Sequence, residues 1–134
     1  ALERRIAGQC SGNFHGSPGN RMSLYAKLQQ REAAGKSVSV LSCHTIKPLD
    51  RAGVEQVLGS HARVAVIEEH VPHGGLGSRV KELAWDIRAS CELRHFSLKD
   101  EFIHTYGSHK DVLTPHGLDA ESIMAALAAQ RADA

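Results

Sequence analysis

The segment Arg63–Glu68, RVAVIE, constrains this chain more than any other. Four consecutive apolar residues, three of them β-branched, form a short run with no alternation of polar and apolar positions. A strand of that kind is buried on both faces, which is the habit of a parallel sheet covered by helices on each side. Its surroundings agree. SVSVLS at 37–42 is a second strand, and Glu92–Leu98 is a third, less apolar and closer to an edge. Helical patterns separate them. Asp50 is a good N-cap for a short helix carrying Val54, Val57 and Leu58, with Gly59 at its end. A second helix opens at Gly77 or Ser78 and runs to about Ala89, with Val80, Leu83, Ala84 and Ile87 on one stripe. Trp85 lies off that stripe, so it is either a core residue at the stripe's edge or part of a contact surface with a neighbouring domain or subunit. Asp100–Gly107 has the pattern of one or two helical turns, and Asp119 caps a last helix whose Ile123, Met124 and Leu127 face inward. Strand and helix in alternation mean βαβ units. The expected fold is α/β, a three-layer sandwich with a mostly parallel sheet of about four to five strands and helices on both faces.

The N-terminal part is less regular. Residues 10–19, CSGNFHGSPG, read as loop, and Asn20 can cap a helix to about Ala34. Ile6–Ser11 makes a poor strand because of its Gly and Gln content. We therefore divide the chain into an irregular segment at 1–19, with at most a degenerate first strand, and an α/β domain at 20–134.

At 134 residues one domain is expected. The net charge of +1 is too small to create a field for nucleic acid or a membrane surface, and aromatics at 4% leave little surface for stacking bases. Three scattered cysteines, Cys10, Cys43 and Cys91, suit reduced thiols and a cytoplasmic protein.

In open α/β sheets ligands gather beyond the carboxyl ends of the strands. Two segments qualify, Cys43-His44-Thr45 and Glu68-Glu69-His70 with the glycine-rich stretch Gly74–Ser78. Gly74, Gly75, Gly77 and Ser78 stand before a helix, where free amides attract anions, so they form a candidate anion or regulatory site. Their spacing matches neither the dinucleotide fingerprint nor the phosphate loop, and two neighbouring carboxylates would repel a phosphate. The favoured reading is a tight turn held by Glu68 or Glu69, with His70 beside it. No catalytic residue is assigned. His70, His73, His104 and His109 could converge on a metal, and His70-x-x-His73 is a tight local pair, but it straddles Pro72 in a loop with no Cys near it. Surface or helix-end histidines are the simpler reading, and no metal ligand is assigned.

The ordered stretches VSVLSCHTIKPLD at 38–50, VAVIEEH at 64–70, GGLGS at 74–78, Asp100-x-Phe102, Gly107-Ser108 and Gly117-Leu118-Asp119 resemble the C-terminal domain of transketolase and related thiamine-diphosphate enzymes, deoxyxylulose-phosphate synthase among them. The resemblance runs from about Arg21 to Ala129. It implies a non-catalytic third domain that supports domain packing and dimerisation. In such enzymes thiamine diphosphate and magnesium are held by two other domains, through a G-D-G motif absent here, and the parent reaction transfers a ketol group between sugar phosphates. This chain is then expected to bind no cofactor itself. Its expected partners are the catalytic domains of the parent enzyme, on the same or another chain, in a homodimer. Two alternatives are a free-standing binding module for a small anion at the strand ends and a subunit of a split transketolase.

Overall fold

The computed structural model describes residues 6–11, 38–43 and 45–129. Four strands, β1 (Ile6–Ser11), β2 (Val38–Cys43), β3 (Arg63–Glu68) and β4 (Glu92–Phe96), form one sheet in the order β2-β1-β3-β4. Every pairing is parallel. Among the described residues there are four α-helices: α1 (Arg51–Ser60), α2 (Leu76–Asp86), α3 (His109–Leu113) and α4 (Ala120–Ala128). A 3-10 turn, Thr114–His116, joins the last two.

The alternation of side chains along β3 explains the three layers. Val64 and Val66 pack with Val54 and Leu58 of α1 and with Leu76, Val80 and Leu83 of α2. Ala65 and Ile67 point the other way, into a cluster with Leu113, Leu118, Ala120, Ile123 and Leu127. The run without alternation is buried throughout from Val64 to Glu68 because both of its faces are covered.

The caps at Asp50 and Asp119 are present, accepting from Gly53 N and Ser122 N, respectively, at 3.0 Å each. Met124 is partly buried against the cluster that contains Ile123 and Leu127.

Several expectations need correction. Ile6–Ser11 is a full strand, and it is central, pairing along its whole length with both β2 and β3. Ladder bonds are made by the backbone, so a Gly- and Gln-containing segment can occupy the middle of a sheet when neighbours hold it on both sides. Residues 100–107 are not helical. Helix α3 begins after them, where Ser108 and Asp111 form a reciprocal capping box that satisfies the first amides. Finally, α2 stops at Asp86, and Ile87 leaves the apolar stripe as a C-cap residue 37% exposed. The loop expected at 10–19 is contradicted at Cys10 and Ser11, which belong to β1, and its remainder, with the expected helix from Asn20 to about Ala34, lies outside the described residues.

The far end of α4 is tied down by side chains from the sheet. Arg63 Nη1 donates to Leu127 O at 2.6 Å, and Arg94 donates to the carbonyls of Ala126 and Ala129. Glu92 sits between the two guanidinium groups, 2.7 Å from each Nε. Cations at a helix C-terminus meet the negative end of its dipole as well as its unpaired carbonyls. Among the described residues no helix is long and apolar enough to cross a membrane.

Candidate functional site

The strand order reverses around β1, with β2 on one side and β3 on the other, so the crevice of an open α/β sheet falls between the carboxyl ends of β1 and β3. Ser11 and Glu68 are register partners there and end their strands. Glu68 is 1% exposed. A carboxylate this deep in the protein must be fully bonded. It accepts from Leu76 N at 2.8 Å and Gly77 N at 3.0 Å, the first amides of α2. His95 Nε2 lies 2.6 Å from Glu68 Oε1.

The chain of bonds continues outward. Lys81 Nζ lies 2.9 Å from His95 Nδ1. An ammonium group can only donate, so Nδ1 accepts and Nε2 carries the hydrogen that goes to Glu68. This assigns His95 as the neutral Nε2–H tautomer. Gly77 and Lys81 are four residues apart, which puts both on the face of α2 that meets this ring. The approach is close enough that glycine is required twice. A Cβ on Gly75 would run into the Glu68 carboxylate, and one on Gly77 into the His95 ring. Ser78 completes the turn by accepting from Gly74 N at 3.0 Å and donating to Pro72 O at 3.1 Å.

The candidate anion residues Gly74, Gly75, Gly77 and Ser78 are thus brought together, but Glu68 already occupies the Leu76 and Gly77 amides. An external anion there would have to displace a buried carboxylate. Glu69 goes a different way from Glu68, as neighbouring residues at a strand end do. Its two oxygens lie 3.0 and 3.1 Å from His109 Nε2 at the start of α3. His70 bonds its own neighbourhood, with Nδ1 2.7 Å from Val71 O, and its carbonyl accepts from Leu98 N at 2.9 Å. Among the described residues no group of three or more His, Cys, Asp or Glu side chains could hold a metal ion. At the other strand end, Cys43 Sγ lies 3.4 Å from Thr45 O. Position 44 is outside the described residues.

His95 was not among the residues singled out from sequence. Its only signal is a polar residue in β4 at the register position opposite buried Val66. Its side chain is 5% exposed, so it must have a partner, but nothing local names Glu68.

A separate cavity of about 250 Å³ lies between the start of α1 and the first half of α2, lined by Pro48, Leu49, Arg51, Arg79, Glu82 and Leu83. Arg51 faces Glu55 at 3.9 Å and Asp86 at 3.8 Å, and Arg79 donates to Glu82 at 2.9 Å. Of the charged side chains that line the hollow, Arg51 and Arg79 are cationic and Glu82 is acidic, and Arg79 is paired with Glu82.

Three acids carry displaced acidities for physical reasons. Burial pushes Glu92 and Asp119 up, but bonds from Arg94 and Arg63 in the first case, and from Ser122 in the second, outweigh it and hold both carboxyls below their ordinary range. Asp111 is lowered by its bonds from Ser108. Burial raises the Cys91 thiol. Cys43 and Cys91 are both free.

Comparison with known proteins places this geometry in a family. The family model described as "Transketolase, C-terminal domain" matches residues 19–123. The 1-deoxy-D-xylulose-5-phosphate synthase of Idiomarina loihiensis is 37% identical over 91 residues, which are 68% of this chain and 15% of the relative. The synthase of Stenotrophomonas maltophilia is 37% identical over 117 residues, 81% of this chain and 18% of the relative. The chain therefore spans less than a fifth of the length of these relatives. Among solved structures, a split-gene transketolase described as an inactive β4 tetramer superposes with a TM-score of 0.72 at 20% identity, covering 95% of this chain and 39% of that one. At that identity the likeness is one of fold.

Proposed function

Since this chain belongs to the transketolase C-terminal domain family, we propose that it is the third domain of a 1-deoxy-D-xylulose-5-phosphate synthase-like enzyme, supporting the packing and dimerisation of catalytic domains carried elsewhere. The observation that carries this reading is the internal occupation of the strand-end crevice. Where a ligand would meet the start of α2, Glu68 already takes the amides of Leu76 and Gly77. In this reading Glu68 and its turn are structural, and the domain lends surface rather than chemistry.

The crevice does not fit thiamine diphosphate. Its diphosphate would need the helix-start amides that Glu68 holds, and it would lie beside the carboxylate of Glu69. We accordingly assign the cofactor and its magnesium to the other domains of the parent enzyme and derive no step through them. The names of the relatives at 37% identity favour deoxyxylulose-phosphate synthesis as the parent reaction over ketol transfer between two sugar phosphates. The free thiols of Cys43 and Cys91 support a cytoplasmic enzyme.

Two measurements test the reading. The 134-residue chain, titrated calorimetrically with thiamine diphosphate and magnesium, should give no saturable heat. The natural polypeptide, alone or with a partner chain, should form deoxyxylulose phosphate and bind the cofactor. Micromolar cofactor binding by the 134 residues would overturn the assignment. Saturable binding of inorganic phosphate that Glu68→Gln alters would instead favour the free-standing anion module.

A further inference from the structure

We propose that the strap formed by residues 100–108 is the surface by which this domain docks onto the remainder of its parent polypeptide. The inference rests on the proposed function, which supplies that remainder.

The strap is exposed at every position from Asp100 to Ser108. It nevertheless carries three large apolar side chains, Phe102 at 91%, Ile103 at 50% and Tyr106 at 96% exposure. Loops that only connect elements are usually built from small and polar residues. Three bulky apolar groups within five residues are a contact surface in search of a cover. Aromatic side chains with few rotatable bonds are the usual anchors of such contacts.

The ends of the strap are held while its middle is not. Before it, Leu98 N donates to His70 O and Lys99 N donates to His116 Nδ1, both at 2.9 Å. At its last residue, Ser108 N donates to Asp111 Oδ2 at 2.9 Å, and the capping box fixes the start of α3. Residues 102–106 make no hydrogen bond to another described residue. The chain thus presents its rings from two fixed points, which reduces the ordering cost of docking.

The occupant follows from size and charge. The matched relatives extend over five times the length that aligns here, so most of such a polypeptide lies outside this domain. The groups flanking the rings are Lys99 and Lys110 against Asp100, Glu101 and Asp111. That near balance provides no field for nucleic acid or an anionic membrane, and an apolar protein surface is the complement it fits.

Hydrogen exchange read by mass spectrometry tests the proposal, comparing the full-length natural polypeptide with the 134-residue chain. The strap amides should exchange freely in the short chain and at least about tenfold more slowly in the full-length protein. Phe102→Asp or Tyr106→Asp in the full-length protein should abolish that protection. Equal exchange in the two proteins overturns the proposal. So does protection in the short chain that disappears on dilution, because the cover is then a second copy. A full-length protein that makes its product while the strap exchanges freely sinks the docking surface alone. A natural polypeptide without catalytic domains or a catalytic partner sinks the proposed function and this inference with it.

Discussion

Removing the Glu68 carboxylate should be among the most damaging single changes available to this domain. Glu68→Ala leaves three buried donors without an acceptor: Leu76 N, Gly77 N and His95 Nε2. An unsatisfied buried donor costs about 1–3 kcal/mol, but local relaxation shares the loss, so a total of about 3–5 kcal/mol is expected. Glu68→Gln keeps one oxygen for two of the donors and turns an NH2 group toward the third, which should cost about 1–2 kcal/mol. Glu69→Ala is the control. Its pair with His109 is about one-quarter exposed, so solvent screening limits the loss to about 1 kcal/mol. Equilibrium urea unfolding followed by far-UV circular dichroism separates the three variants. With a slope of about 2 kcal/mol/M, a 3 kcal/mol loss lowers the midpoint by about 1.5 M. An alanine variant of Glu68 with the wild-type midpoint, or one less affected than Glu69→Ala, would refute the view that Glu68 holds the turn.

Gly77→Ala should lower stability by about 1–3 kcal/mol, because the new methyl group collides with a buried ring, and thermal melting will register it. Stability should fall as pH drops through the carboxylate range. Glu92 and Asp119 have lower pKa values folded than unfolded, so the unfolded chain takes up protons first; the stabilisation is complete above the unfolded values near pH 4 and lost below them. Glu92→Gln should flatten that acid dependence in denaturation curves taken from neutral to acid pH, and an unchanged slope would count against the Arg63–Glu92–Arg94 cluster as its source. Trp85, 85% exposed, should emit at long wavelength in the isolated chain and be readily quenched by acrylamide, whereas a blue, protected emission would contradict its position off the core stripe.

The elements that sequence specified well are those whose cause is local. The apolar run of β3 requires two covered faces wherever it lies, and Asp50 and Asp119 cap helices with bonds that span three residues. The stripe of α2 follows from helical period alone for Val80 and Leu83. It fails at Ile87 because periodicity does not mark where the last turn ends. The same limit holds at residues 100–107, whose residue types are compatible with helix although the next helix starts only after the capping box at Ser108.

The tertiary structure decided what depends on neighbours distant in the chain. Ile6–Ser11 is central because β2 and β3 bond it from both sides, a property its own composition does not carry. Adjacent Glu68 and Glu69 look alike in sequence, yet the first meets His95, 27 residues away, and the second meets His109, 40 residues away. Strand geometry sends neighbouring side chains to different sides, and only the packing of α2, β4 and α3 determines what each one finds there. The glycines at 75 and 77 were legible as a turn before a helix. That the turn closes on a buried carboxylate and ring, and leaves no free amides at Leu76 and Gly77 for a ligand, is a fact of three-dimensional contact.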